Sequence, residues 1–316
     1  MLNMTRKRRF IHATFLMCLP VIVAWFGASV ITAIVLVLLM LLWRWLIVLS
    51  GIMAPEKTPE MELETMALSH YVEKVRWCMD RLDIDYTERQ CGGTLGVFFT
   101  GRTVPQLRVR TGIVQTSIGN SPDILRYLWA RYFASHGEAA AFLEPTAERL
   151  ALEQKLDRYG RFLQVWFYSH ALQHRELTLR AWGADNPRTP AWQRLALRAL
   201  FPLLAALIRK SFALSEAHYA KAATAVDELL GEIDLLLADG RRSILGGDTI
   251  NYTDIAFAAF SGLWLQPPTY AGGMAEGALI PSEQMPAGMR ADIERWSEDH
   301  PQSIALVSRM YAQERG

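Results

Sequence analysis

Met61-Glu-Leu-Glu-Thr-Met-Ala-Leu-Ser-His-Tyr-Val-Glu-Lys-Val-Arg-Trp-Cys-Met-Asp-Arg-Leu82 changes its period in the middle. The first eight residues alternate loosely and end apolar, as a strand entering a buried sheet does. From Tyr71 onward, Val72, Val75, Trp77, Met79 and Leu82 recur at near-helical spacing. The stretch therefore reads as a strand followed by a helix, with Ser69 at the junction. Downstream, Ile84 to Cys91 reads as a second strand, punctuated by Gly92-Gly93, and Val104 to Arg110 as a third. Gly112 turns the third strand into Ile113 to Thr116, and Pro122 to Ala134 is helical with Ile124, Leu125, Leu128 and Trp129 on one side. Residues 61 to 134 thus read β-α-β, then β-β-α.

From Glu144 the pattern is almost wholly helical, with periodic runs near 145–182, 190–214, 215–238, 252–264 and 287–313. Breakers at Asp185-Asn186-Pro187, Pro190, Gly246-Gly247 and Gln266-Pro267-Pro268 separate most of them. The fold class expected is an α+β thioredoxin-like domain (61–136) followed by an all-α domain (137–316). Tyr159, Phe162, Leu163, Trp166 and Phe167 form an aromatic stripe of the kind that is usually plain core.

Upstream lies a different kind of sequence. Phe10 to Met53 is a 44-residue run whose one formal charge is Arg44. As a straight helix it would reach roughly 66 Å, twice the thickness of a bilayer core of about 30 Å. Phe26-Gly27-Ala28-Ser29 is the best break, giving arms near 10–26 and 29–49. Arg6, Lys7, Arg8 and Arg9 precede the first arm, and Arg44 and Lys57 mark the end of the second, so a transmembrane hairpin would leave both ends in the cytoplasm. Trp43 and Trp45 flank Arg44 as an interfacial belt would. A signal peptide fits poorly, because apolar sequence continues well past any cleavage position. A single span would place the following domain on the opposite side. The expectation is an integral membrane protein, its globular domain on the cytoplasmic face of a bacterial inner membrane, joined through a proline-bearing linker at 54–60.

The composition agrees with a globular chain carrying such a segment: 51% of residues are hydrophobic and 21% charged, which excludes disorder. The net charge of +1 conceals five cations and no acid in residues 1–53, a local basic end and no nucleic-acid surface. Cys18, Cys78 and Cys91 make no CxxC pair and no cluster at metal-ligand spacing, so neither a disulfide framework nor a metal site is expected.

Four motifs in order sharpen the reading. Leu68-Ser-His-Tyr-Val-Glu-Lys-Val-Arg-Trp77, Thr103-Val-Pro-Gln-Leu107, Asn120-Ser-Pro-Asp-Ile-Leu-Arg-Tyr-Leu128 and Leu245-Gly-Gly-Asp-Thr-Ile-Asn-Tyr-Thr-Asp-Ile-Ala256 together resemble the cytosolic glutathione S-transferase superfamily, serine type, over roughly residues 61 to 313. The resemblance implies that Ser69 holds the glutathione sulfur as a thiolate. It also implies that the backbone of Val104, before a cis Pro105, pairs with the cysteinyl part, and that Asn120 and Ser121 receive the γ-glutamyl group. Asn120 departs from the acidic residue or Gln usual there: it keeps a carbonyl acceptor without the charge.

Physical chemistry allows these roles beside plainer ones. Ser69 at the positive end of a helix dipole could stabilise a thiolate or serve as an N-cap alone. Ser121, before Pro122 at the first helical position, reads as an N-cap that also makes an anion site. Tyr71, two residues after Ser69, reads as packing, and His70 as a solvated residue at a helix start. Asn251 and Asp254 have capping-box spacing, with Ile250 and Ile255 as a hydrophobic staple, a folding device.

The function expected is a membrane-anchored transferase-like protein joining glutathione, its co-substrate, to apolar electrophiles. The rival is a non-catalytic assembly subunit whose hairpin docks to a larger membrane complex, where Thr14, Pro20, Gly27, Ser29 and Thr32 would pack against partner helices. The resemblance adds a homodimer to the expected partners, beside the lipid bilayer.

Overall fold

The computed structural model describes residues 18, 22, 23, 25–27, 29–52, 58–92, 95, 104–111, 114–275 and 277–315. Most of the first apolar arm lies outside them, as do Thr14, Pro20, Gly93, Thr103, Gly112 and Ile113. The chain divides into two compact units, residues 1–60 with 109–116 and residues 61–108 with 117–316.

In the first unit, Phe26 and Gly27 form a turn in which Gly27 has φ +84°, a value that favours glycine. Ser29 then accepts from Thr32 N at 3.3 Å and opens α1 (Val30–Ile52, 23 residues). Among the described residues no single helix is long and apolar enough to cross a membrane; the apolar part of α1 is Val30–Leu46. Its side chains from Val30 to Leu46 are largely exposed, with Trp43 and Trp45 among them.

The sheet and the helical region follow. The order is β1 (Glu60–Thr65), α2 (His70–Arg81), β2 (Tyr86–Gln90), β3 (Gln106–Thr111), β4 (Val114–Gly119) and α3 (Ser121–His136). The strands line up as β2-β1-β3-β4, with β1 and β2 parallel from Met61↔Tyr86 to Thr65↔Gln90. This is the β-α-β, β-β-α plan read from the sequence. Along β1, Met61, Leu63 and Thr65 are buried while Glu62 faces outward to Arg108 at 2.9 Å, the period-two pattern of a strand with one face in the core. Sheet residues 61–108 and the helical region belong to the same compact unit.

The helices are α4 (Ala147–Ala171), α5 (Arg175–Ala181), α6 (Ala191–Ala199), α7 (Phe201–Ser211), α8 (Glu216–Leu237), α9 (Tyr252–Leu265), α10 (Ala287–Asp299) and α11 (Pro301–Arg309). Three runs expected to be continuous are broken. The run at 145–182 stops at Leu172, where the Thr178 hydroxyl takes the Ala171 carbonyl at 2.5 Å. Pro202 and Pro301, which lack an N–H to continue a helix, sit in the first turns of α7 and α11 and split the other two. α9 is the central helix, buried from Tyr252 to Trp264. It packs on α2 and α4. α2 approaches α4 at Gly160, where a Cβ would meet the Tyr71 hydroxyl at 2.8 Å, so only glycine permits that approach.

Candidate functional site

Ser69 follows the turn after β1, its N–H donating to Met66 O at 3.0 Å and its backbone extended at φ −77°, ψ 114°. It is the N-cap of α2, and its Oγ accepts from Val72 N at 3.4 Å. That contact uses an oxygen lone pair and leaves the hydroxyl proton free to donate elsewhere. The residue is buried, and the cleft it faces is narrow, about 40 Å³, walled by Leu68, Phe167, Tyr168, Ala181, Trp182 and Leu263. At roughly 10–15 Å³ per water such a space takes a few waters. A pocket for a small molecule is about 300 Å³ or more. A larger cavity, about 360 Å³, shares Tyr168 and is lined also by His170, Leu172, Arg209, Leu214 and Tyr219. Ser69 does not line it.

Trp182, at the end of α5, is buried against the cleft. Outside the cleft, Gln193 of α6 turns inward to accept from Gly92 N at 2.6 Å, just after β2. The sequence carried a faint signal for this: Gln193 is a polar residue on the same helical stripe as Leu197, and both are buried.

His70 is not solvated. It is buried between Tyr71 and Phe260, with ring centroids 4.3 and 5.1 Å away, and burial lowers its pKa to about 3. Neutral throughout the physiological range, it is not placed to exchange protons near pH 7. Tyr71 donates to Asp157 O at 3.3 Å and stacks edge-on with Phe260. Burial, reinforced by Asp157, pushes its hydroxyl far above the ordinary range, so it is a packed phenol and no thiolate-like acid. Burial likewise pushes the Cys78 and Cys91 thiols up to about 12.

Pro105 is buried, the Val104–Pro105 bond is cis, and β3 begins at the next residue beside β1. Asn120 is exposed with φ +72° and makes no side-chain cap. It, and not Ser121, occupies the N-cap position of α3, with Ser121 and Pro122 inside the first turn. The reason is local: the Asn120 backbone, φ 72° and ψ 129°, is non-helical, while its carbonyl already accepts the first helical bond from Ile124 N at 3.1 Å. Ser121 is left 1% exposed with a hydroxyl that has no hydrogen-bond partner. A buried polar group normally finds a partner, so an orphan at a helix start marks a place where a ligand oxygen would be welcome.

The aromatic stripe of α4 divides. Tyr159 bonds Ser261 and Trp264, and Trp166 donates to Asp292 at 2.8 Å, both in the core, whereas Phe167 reaches the cleft. Among the described residues no three His, Cys, Asp or Glu side chains gather as metal ligands.

No protein-family model matches the chain, and no curated protein does. Solved structures do. A glutathione S-transferase from Methylobacterium radiotolerans in complex with glutathione sulfonate is 16% identical, with 81% of this chain and 92% of that chain covered and a TM-score of 0.49. A glutathione transferase family member from Pseudomonas fluorescens with two glutathione bound is 14% identical over 81% and 90%, with a TM-score of 0.47. A glutathione S-transferase from Methylobacillus flagellatus with glutathione bound is 13% identical over 81% and 97%, with a TM-score of 0.44.

Proposed function

We propose that this chain is a membrane-anchored, glutathione-binding transferase-like protein whose N-terminal apolar segment holds it to a bilayer. The observation that carries the glutathione site is the buried, unpartnered Ser121 hydroxyl in the first turn of the 16-residue α3. There the helix dipole and free backbone N–H groups favour a carboxylate, and the hydroxyl adds a donor. Ser69 supplies the second contact: capping α2 through a lone pair, it can donate a hydrogen bond to the sulfur of glutathione and so favour the thiolate, the thiol proton passing to solvent. That thiolate would attack an electrophilic carbon, forming a C–S bond as the leaving group departs with the electron pair. Asn120, exposed and uncharged, can accept from the ligand's ammonium group without neutralising it, so the affinity expected is modest.

Anchoring draws support from α1 and from the sequence around it. The apolar run continues on both sides of the described Val30–Leu46 part, and the turn at Gly27 stands where a hairpin would bend. On this reading the cations of residues 6–9 keep the globular domain cytoplasmic.

The narrow cleft favours a second reading. Trp182 and Phe167 leave about 40 Å³ beside Ser69, too little for an electrophile, which suits a non-catalytic subunit of a membrane assembly.

Calorimetric titration of glutathione into the full chain in detergent tests the site, with Ser121→Ala alongside. Binding in the micromolar to low millimolar range that weakens about tenfold in the variant is expected, the loss of one hydrogen bond to a charged group. Because the variant also removes an unsatisfied buried hydroxyl, its urea midpoint should be unchanged or higher. Absence of heat from a folded chain, together with a stable hetero-complex on native sizing of membrane extracts, would select the assembly reading. If glutathione binds, Ser69→Ala should reduce turnover at least about tenfold without abolishing binding.

A further inference from the structure

Helices α4 and α8 pack along one another, yet the chain between them takes 44 residues, 172 to 215, where a connection between neighbouring helices usually needs about 2–8. The excursion contains α5, α6 and α7. Its inner side closes the Ser69 cleft through Trp182 and ties down Gly92 through Gln193. Its outer side is unlike the rest of the helical region.

On α6, Trp192, Leu195 and Ala199 share one face at helical spacing, and Trp192 and Leu195 are 59% and 70% exposed. Arg194 and Arg198 occupy the adjoining stripe, while Gln193 and Leu197 point inward. On α7, Phe201, Leu204, Ala205 and Ile208 are buried, and the exposed side presents Leu203, 55% exposed, with Ala206 and Lys210 one and two turns on. From Asn186 to Leu214 the sequence has Arg188, Arg194, Arg198, Arg209 and Lys210 and no Asp or Glu. Arg198 pairs with Asp185 at the edge; Arg194, Arg209 and Lys210 have no carboxylate partner among the described residues.

Exposed Trp and Leu bordered by unpaired cations match one kind of partner. An anionic bilayer surface offers acyl chains just below a layer of phosphate, so the indole and leucines enter the interface while the guanidinium and ammonium groups stay at the phosphates. Taken together, α6 and α7 are also long and apolar enough to span a membrane, bent by 74°. Their buried inner faces exclude that arrangement, since Leu197, Phe201, Leu204 and Ile208 are already packed in the protein. We infer that the outer face of α6 and α7 is a docking surface for anionic lipid bilayers, lying in the interface plane. It is a membrane contact separate from the N-terminal apolar segment and does not depend on it. It also puts the lid of the Ser69 cleft at the bilayer surface, where an apolar substrate would concentrate.

The test uses the full chain with Cys18→Ser and Leu195→Cys, the new thiol carrying an environment-sensitive NBD label. Cys78 and Cys91 are buried and escape labelling. The protein is placed in nanodiscs of phosphatidylcholine alone or with phosphatidylglycerol, each with and without lipid bearing a shallow doxyl quencher. Quenching and a blue shift are expected in the anionic discs. Arg194→Ala and Lys210→Ala should each lower the docked-to-undocked ratio about fivefold, the effect of one surface cation on an anionic membrane. A label with water-like emission that stays unquenched in anionic discs overturns the inference. A blue shift without quenching that grows with protein concentration overturns it too, in favour of a second copy of the chain. A parallel label on Leu38→Cys of α1, midway along the expected span and read against lipid bearing a deep doxyl quencher, reports on the anchor separately. If that one is unquenched the anchoring reading fails, and flotation of the soluble chain with phosphatidylglycerol vesicles, abolished by Leu195→Glu with Leu203→Glu, then decides the surface by itself.

Discussion

His70 sits against the rings of Tyr71 and Phe260 with its Nε2 buried and without a partner. Burial lowers its pKa from 6.5 to about 3, so the folded chain keeps it neutral while the unfolded chain protonates it below 6.5. Its contribution is therefore fully present above pH 6.5 and is lost as the pH falls toward about 3, with a slope of about 1.4 kcal/mol per pH unit. His70→Phe, which keeps an aromatic ring at the same place, should remove that slope. Urea midpoints of both proteins between pH 6.5 and about 4.5 check this, and parallel curves would assign the acid lability to another group. The same burial explains why a residue that opens a helix and follows a Ser is no acid or base here.

At the scale of the element, α9 carries the clearest local device. Asn251 caps Thr253 N at 2.9 Å, and Asp254 reaches back to Asn251 N at 2.8 Å, the reciprocal box expected from the spacing. Asp254 does more than close the box. Its Oδ1 accepts from Ile244 N and its Oδ2 from the Ser243 hydroxyl, each at 2.8 Å, so one carboxylate ties the loop before the helix to its first turn. Burial raises its pKa despite those donors. Asn251→Ala should cost about 1–2 kcal/mol, an ordinary cap. Asp254→Ala, which strands several buried donors, should cost about 3 kcal/mol or more by urea unfolding. Equal losses would mean that the loop contacts add nothing to the cap.

Across the whole molecule, the last residues return to the first helix of the sheet region. Arg315 donates to Glu73 and Asp80, each at 2.8 Å, lies over the Trp77 ring, and shares Glu73 with Arg76. The Trp77 indole donates to Glu314 O at 3.1 Å. Glu73 is fully buried, so Arg315→Ala leaves it with one guanidinium in place of two. The expected loss is about 3 kcal/mol, read as a lower urea midpoint for the whole sheet and helix unit in one transition. A change under about 0.5 kcal/mol would mean that Arg76 alone satisfies the carboxylate.

What the amino-acid order determined by itself is what depends on neighbours within a few residues. The alternation of Met61, Leu63 and Thr65, the helical spacing from Val72 to Leu82, the capping box and the proline before β3 are all short-range patterns, and each stands where its local physics placed it. Three-dimensional packing decided the rest. The burial of His70, the orphan Ser121 hydroxyl and the narrowing of the Ser69 cleft by Trp182 all depend on residues far away along the chain. A side chain's exposure and partners are set by what the tertiary fold brings opposite it, which periodicity alone does not encode.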